Sequence, residues 1–287
     1  MNPAPPVTSA LMDRVYPRQV GASSGRYDHA VPPVTLSFVL PFWNEVEGAE
    51  RTVEVLLDAA RELTGRGVAD TVEIVVVDDG STDGTAALLD ALAQQHPAVR
   101  VEHHETNRGL GAALRTGFSA APTEWIFYTD ADLPVDPLVA ARALRAASLH
   151  DVDIVSCYRL DRTGEGVRRE LLSSGYNTAV RAITGLSVRD VNFAAKLVRR
   201  RAVADHLPTS DSLFFDAELL ARAMAAGATM HQIGVDYFPR TVGSSTASSL
   251  RSVWLTAKDL VAIGPGLRTH PDRGNAGSPH RRWPTAR

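Results

Sequence analysis

Extended apolar runs that stop at polar or acidic residues, each followed by a stretch with helical spacing, constrain this chain more than any other feature. Residues 34–40 are β-branched and apolar and are halted by Pro41. A helical stretch over 46–63 follows, with Val53, Leu56, Leu57 and Ala60 on one face. Residues 72–77 form a second buried strand that runs into Asp78-Asp79-Gly80-Ser81. A helix over 85–95 comes next, with Ser81 or Asp83 placed to cap it. The pattern continues with a strand at 99–103, a helix at 110–120 and a strand at 125–129. Such repetition predicts an α/β fold, a mostly parallel Rossmann-like sheet with helices on both faces. Ligands in these sheets bind outside the carboxyl ends of the strands. Pro41-Phe42-Trp43-Asn44-Glu45, Asp78-Asp79 and Asp130-Ala131-Asp132 all fall at such ends, so loops distant in sequence are expected to converge on one crevice.

The chemistry of those loops is acidic. Asp130 and Asp132 stand one residue apart where the run Trp125-Ile126-Phe127-Tyr128-Thr129 ends. Magnesium takes one or two carboxylates and completes its shell with phosphate oxygens, so the pair suits a cation holding a diphosphate. A strand-end Asp-x-Asp is also common as a solvated turn. The run from Asp78 to Thr85 reads in part as a turn and helix cap. That explains Gly80, Ser81 and Asp83 but not two adjacent carboxylates after Ile74-Val75-Val76-Val77; a base and ribose would supply their partner. Asn107-Arg108-Gly109-Leu110-Gly111 is similar to part of a dinucleotide glycine loop, yet it lacks the third glycine and the acid about 20 residues on. His103, His104 and His231 have no companion ligands at metal spacing and read as structural.

Composition sets the outer limits. With 287 residues, 44% hydrophobic and 22% charged, the chain can bury a full core. A net charge of -3 gives no nucleic-acid footprint. The single Cys157 excludes an internal disulfide and fits a reducing cytoplasm. No run approaches the roughly 18 apolar residues of a spanning helix. Residues 1–33 read as a disordered N-terminal arm, 34–246 as the catalytic domain, 247–264 as an amphipathic C-terminal helix and 265–287 as a disordered tail. In the helix, Leu250, Val253, Trp254, Ala257, Leu260 and Val261 recur at helical spacing. Such a stripe either docks on its own domain or lies at a bilayer surface. The expected location is cytoplasmic, with peripheral contact on the inner face of the membrane as the second reading.

Taken in order, Phe38-Val39-Leu40-Pro41-Phe42-Trp43-Asn44-Glu45, the Asp78 to Thr85 run, Asn107-Arg108-Gly109-Leu110-Gly111 and Asp130-Ala131-Asp132 resemble a family-two glycosyltransferase of the dolichyl- or polyprenyl-phosphate mannose synthase type. Asp190-Val191-Asn192-Phe193-Ala194-Ala195-Lys196-Leu197 is similar to that family's acceptor-side segment. Phe215-Asp216-Ala217-Glu218-Leu219 is similar to its late acidic motif, and Arg240-Thr241-Val242-Gly243-Ser244-Ser245 to its closing arginine loop. The resemblance implies a GT-A fold. It implies that Pro41, Glu45 and Asp79 hold base and ribose with Asp78 beside them, and that Asn44, Gly109 and Ala131 belong to the donor loops. Asp130 and Asp132 would bind Mg2+ or Mn2+ against the donor diphosphate. Arg159 and Arg240 would contact phosphates, Arg168 or Arg169 would face the acceptor phosphate, and Lys196 lies in the acceptor-side segment. The implied substrates are a nucleotide sugar, GDP-mannose or a UDP-hexose, and a polyprenyl phosphate.

The chain departs from the family pattern in places. Pro134 stands where many synthases carry a metal-ligating Gln, Thr246 where a Lys closes the last loop, and Asn192-Phe193-Ala194 where Ser-Gly-Phe is found. Developing charge on the leaving β-phosphate calls for the cation and Arg240. A phosphate acceptor, with its second pKa about 6, needs no base. A hydroxyl acceptor on a soluble metabolite or glycan needs one, with Asp216 or Glu218 as candidates. Asp216 and Glu218 also suit the positive end of a helix, and Arg168-Arg169 suits a solvated surface. A catalytically silent nucleotide-sugar binder is a further alternative. A haloacid-dehalogenase-like phosphatase also uses a strand-end Asp-x-Asp, but Asp78-Asp79 preceding the motif disfavours that reading.

Overall fold

The computed structural model describes residues 34–160, 167–238 and 250–267. Within them the first half alternates β1 (Val34–Phe42), α1 (Val46–Gly65), β2 (Ala69–Asp78), α2 (Thr85–Gln95), β3 (Val99–His103), α3 (Leu110–Ala120) and β4 (Trp125–Thr129). Then come α4 (Val139–His150), β5 (Ile154–Arg159), α5 (Val167–Thr184), β6 (Ala195–Arg199), α6 (Phe215–Ala225), β7 (Met230–Val235) and α7 (Leu250–Ile263). The strands form one sheet in the order β3-β2-β1-β4-β6-β5-β7. Strand β6 alone runs antiparallel to both neighbours, and the other pairings are parallel.

The predicted alternation therefore holds, with longer ends. β1 does not stop at Pro41 but continues to Phe42, which is in register with Asp78. Pairing with β4 ends earlier, at Val39↔Tyr128, so Pro41 falls where β1 is paired with β2 alone. A proline is tolerated in such a strand because it removes no ladder bond on the open side.

Both faces of the central strands are covered, which is why they read as continuous apolar runs rather than as alternation. Phe38 and Phe127 pack with Val53, Leu56 and Leu63 of α1 and Leu144 of α4. The intervening Val39 and Tyr128 face the opposite layer, with Leu114 and Phe118 of α3, Phe215 and Leu219 of α6 and Leu260 of α7. Period-two strands thus feed two separate cores. On α1 the buried positions Ala49, Thr52, Val53, Leu56, Ala60 and Leu63 follow the helical repeat.

The C-terminal helix docks, but not through the whole apolar stripe. Thr256 and Leu260 are buried, whereas Val253, Trp254 and Val261 point outward, with Trp254 at 62% and Val261 at 69% exposure.

Candidate functional site

Pro41, still within β1, and Asp130, just past β4, each lie two residues beyond the last β1–β4 register pair. The Asp130-Ala131-Asp132 turn is held from both directions. The Leu133 N–H donates to the Asp130 carbonyl at 3.1 Å, with Leu133 at φ 47. From α1, the Thr52 hydroxyl donates to the Ala131 carbonyl at 2.6 Å, a buried bond between residues 79 positions apart. Ala131 is buried while Asp132 is exposed and Asp130 intermediate, so the turn leaves its carboxylates accessible at the strand end. Two carboxylates one residue apart at a strand end fit a hard divalent cation whose remaining ligands come from phosphate. Pro134 is buried, and its carbonyl accepts the Phe238 N–H at 2.9 Å. Among the described residues no group of three or more His, Cys, Asp or Glu side chains is arranged to hold a metal ion.

The loops after β1 and β2 are bound into one unit. Asn44, at φ 54, donates its N–H to Ser81 Oγ at 2.9 Å, and its side-chain oxygen accepts the Thr82 N–H at 2.8 Å. Asp83 accepts from the N–H of Thr85 at 3.0 Å and of Val46 at 3.1 Å, each the first residue of a helix. One carboxylate therefore serves the N-termini of α2 and α1, although neither formal cap residue makes a side-chain cap bond. The Glu45 N–H donates to Thr85 Oγ1 at 3.0 Å.

Asp78 and Asp79 are both buried. Asp78 Oδ1 accepts the Ser81 N–H at 3.2 Å, and its Oδ2 lies 3.3 Å from His103 Nδ1. Asp79 is occupied on both oxygens. His104 Nδ1 lies 2.6 Å from Oδ1, which also accepts the Arg108 N–H at 2.9 Å, while Oδ2 accepts the Gly109 N–H at 2.8 Å. In this structure Asp79 thus shapes the 108–109 loop from within; the adjacent carboxylates that no simple turn explained find their partners in two neighbouring histidines and this loop. His103 ends β3 and His104 follows it, and the register Asp78↔His103 brings both beside the carboxylates.

Gly109 and Gly111 are required by close approach. Gly109 has φ 98, and a Cβ there would lie 2.6 Å from the Asp211 carbonyl oxygen. A Cβ on Gly111 would lie 2.2 Å from the Ser210 carbonyl oxygen. The 208–211 segment meets this loop through the Gly111 N–H, which donates to the Asp211 carbonyl at 3.0 Å, and through Arg115, which donates to the Pro208 carbonyl at 3.0 Å.

Several residues expected to meet substrate are instead bound internally. Glu218 is fully buried and accepts from Thr209 N–H at 3.0 Å, Thr209 Oγ1 at 3.0 Å, Ser210 N–H at 2.9 Å and Arg222 Nε at 2.6 Å. It fastens the 208–211 segment rather than standing open as a base. Asp216 accepts from Lys196 Nζ at 2.8 Å and from the Tyr128 hydroxyl, with Lys196 at 0% exposure. Burial and the neighbouring Asp216 charge hold the Tyr128 phenol well above its ordinary pKa, so it stays a proton donor. Lys196 also donates to the Phe193 carbonyl at 2.7 Å. Arg159 forms a two-pronged pair with Asp190, at 2.8 and 3.1 Å, between the Phe193 and Tyr237 rings. Arg240 and the Arg168 and Arg169 side chains lie outside the described residues, as does Thr246.

A parallel-rich sheet with one reversed strand, covered on both faces, defines a GT-A glycosyltransferase fold. Solved structures agree: glucosyl-3-phosphoglycerate synthase from Mycobacterium tuberculosis superposes with a TM-score of 0.59 at 23% identity over 80% of each chain. A mannosyltransferase from Pyrobaculum calidifontis, solved with GDP-Man and Mn2+, gives 0.55 at 20% identity over 79% of this chain and 64% of that one. The chain belongs to glycosyl transferase family 2, whose profile matches residues 37–207. Relatives include the glycosyltransferase AglD of Haloferax volcanii, 30% identical over 72% of this chain and 34% of that protein. An undecaprenyl-phosphate 4-deoxy-4-formamido-L-arabinose transferase of Pseudomonas fluorescens is 31% identical over 77% of this chain and 62% of that protein. The chain spans less than two thirds of the length of these curated relatives.

Proposed function

We propose that this chain is an inverting, metal-dependent glycosyltransferase that moves a hexose, mannose or glucose, from a nucleoside diphosphate sugar to a polyprenyl phosphate. The observation that carries the reading is the Asp130-Ala131-Asp132 turn, held by Thr52 at the carboxyl end of β4 beside the loop that leaves β1. Asp130 and Asp132 would hold Mg2+ or Mn2+, which supplies positive charge against the departing diphosphate. In this reading Pro41, Asn44, Glu45, Asp78 and Asp79 would serve the base and ribose side, with Gly109 and Ala131 in the donor loops. Neighbours solved with GDP-Man and with UDP-glucose support a donor of this class.

The surroundings of the carboxylates support a phosphate acceptor. Both candidate bases, Asp216 and Glu218, are buried and hold internal hydrogen bonds. A hydroxyl acceptor must lose a proton to such a group, whereas a phosphate monoester arrives largely ionised and needs only to be held in line. That asymmetry, with the polyprenyl-phosphate acceptor named for the Pseudomonas relative, favours a lipid phosphate. In this reading Arg168, Arg169 and Arg240 would meet it, while Lys196 and Arg159 are paired with Asp216 and Asp190. No helix among the described residues is long and apolar enough to cross a membrane. Peripheral membrane contact is supported by the outward row of Val253, Trp254 and Val261, with Lys258 Nζ 5.7 Å from the Trp254 ring.

The test is incubation of the full chain and Mn2+ with polyprenyl phosphate and radiolabelled GDP-mannose, UDP-glucose or UDP-N-acetylglucosamine. Label in the organic phase that disappears with Asp132→Ala supports the reading and names the sugar; no lipid-bound label from any donor overturns it for these donors.

A further inference from the structure

The C-terminal helix is joined to the donor loop through one carboxylate. Asp259 Oδ2 on α7 accepts from the Ser210 hydroxyl at 2.6 Å and from the Ser212 hydroxyl at 2.7 Å. Each serine has its other side engaged in the same segment: Ser210 Oγ accepts the Ser212 N–H at 3.2 Å, and Ser212 Oγ accepts the Phe214 N–H at 3.1 Å. A hydroxyl donates one hydrogen, and the two serine oxygens lie 3.0 Å apart, so without Asp259 only one serine could donate to the other and the segment would lose its tie to α7, with Arg115 left holding it from α3. The segment's inner support is Glu218, which takes the Thr209 and Ser210 N–H groups.

Between these two carboxylates the Ser210 and Asp211 carbonyls press on Gly111 and Gly109 so closely that neither glycine has room for a methyl group. The Gly111 N–H is bonded to the Asp211 carbonyl, and the Gly109 N–H to Asp79. The path from α7 to the β2 strand end therefore runs through short polar contacts and tight van der Waals approach, with no flexible side chain between Ser210 and the 109–111 loop. A displacement of the segment moves the loop with it, because close-packed backbone has no slack to absorb the shift.

We propose that Asp259 is a positioning residue for the nucleotide donor. Through Ser210 and Ser212 it holds the 208–212 segment against Gly109 and Gly111, so that docking of α7 sets the shape of the donor loop. The inference rests on the proposed reading of that loop as part of the donor site. It gives α7 a role beyond packing, since Leu260 buries the helix while Asp259, one residue earlier, couples it to the crevice.

The test compares wild-type, Asp259→Ala and Asp259→Asn full-length proteins by amide hydrogen exchange and by equilibrium binding of GDP and of UDP with Mn2+. Asp259→Ala is expected to raise exchange at Gly111 and to weaken binding of the nucleotide that wild type prefers about tenfold, as misplacement of a positioning element does. Asp259→Asn restores both, because one amide oxygen can accept both hydroxyls. Should Asp259→Ala fail to fold, the Ser210→Ala, Ser212→Ala double variant makes the same two measurements. Unchanged exchange at Gly111 overturns the brace. Raised exchange with unchanged nucleotide affinity overturns the positioning role. Wild type that binds neither nucleotide overturns the donor reading of the loop, and the exchange data then show whether the brace exists without it.

Discussion

Lys196 Nζ lies 2.8 Å from Asp216 Oδ1, and both side chains are sealed from solvent among β4, β6 and α6. Two charges in that position stabilise each other only as a pair. Lys196→Met leaves the buried Asp216 charge with the Tyr128 hydroxyl but without its countercharge and is expected to cost about 3–5 kcal/mol. The Lys196→Met, Asp216→Leu double variant should recover much of that loss. Urea unfolding of the single and double variants checks it, and equal destabilisation by both would show that the pair is not the cause.

Asp132 is exposed on its turn, so its removal should separate function from folding. Asp132→Ala is expected to stay within about 0.5 kcal/mol of wild-type stability, as exposed substitutions usually do. Transfer activity should fall by about 100-fold or more, the scale seen when one charge-stabilising group is removed. Thermal melts alongside product assays measure the two effects, and a large drop in melting temperature would contradict the assignment.

Gly111 faces the Ser210 carbonyl with no space for a Cβ. Gly111→Ala forces that backbone apart and is expected to cost about 1–3 kcal/mol, the range for overpacking a close contact. Nucleotide affinity should fall in parallel. A variant as stable as wild type that binds nucleotide normally would mean that the two segments part easily.

His103 sits between Asp78 and Asp90. Burial alone would lower its pKa, but the hydrogen bonds to Asp90 and then Asp78, with their charges, raise it above the ordinary histidine value. A raised folded-state pKa stabilises the fold when the ring is protonated in both states, below about pH 6.5. That contribution is lost as pH rises through the folded-state value. With the ring 39% exposed, the effect should stay below about 1 kcal/mol. The stability difference between wild type and His103→Ala is expected to be larger at pH 5.5 than at pH 8.5, and a difference independent of pH would count against the pairing.

Cys157 is buried at 0% exposure, and burial raises its thiol pKa to about 12 despite the opposing charges of Lys196 and Arg142. A thiol held protonated and enclosed does not react. Iodoacetamide at pH 8 should label the native protein negligibly and the urea-unfolded protein rapidly, so labelling reports unfolding; prompt modification of the folded protein would contradict this packing.

The alternation of strands and helices was legible because the residues that decide it are chain neighbours. Val53, Leu56 and Ala60 show one helical face, and Ile74-Val75-Val76-Val77 shows a strand covered on both sides. The position of Asp130-Ala131-Asp132 at a strand end was legible for the same reason. The family resemblance extended this to the GT-A fold, which the superpositions bear out.

Side-chain partnerships were not legible in that way. Thr52 reaches Ala131 across 79 positions, Tyr128 reaches Asp216 across 88, and Ser210 reaches Asp259 across 49. Sequence alone determined the strands and helices between residues 34 and 129, and that carboxylates fall at the carboxyl ends of those strands. Only the tertiary structure decided the surroundings of each: Asp132 is exposed, while Asp79, Asp216 and Glu218 bind histidine, lysine and backbone N–H groups inside the protein. The physical reason is that periodicity depends on residues a turn apart, whereas the environment of a charge depends on whatever the completed fold packs around it.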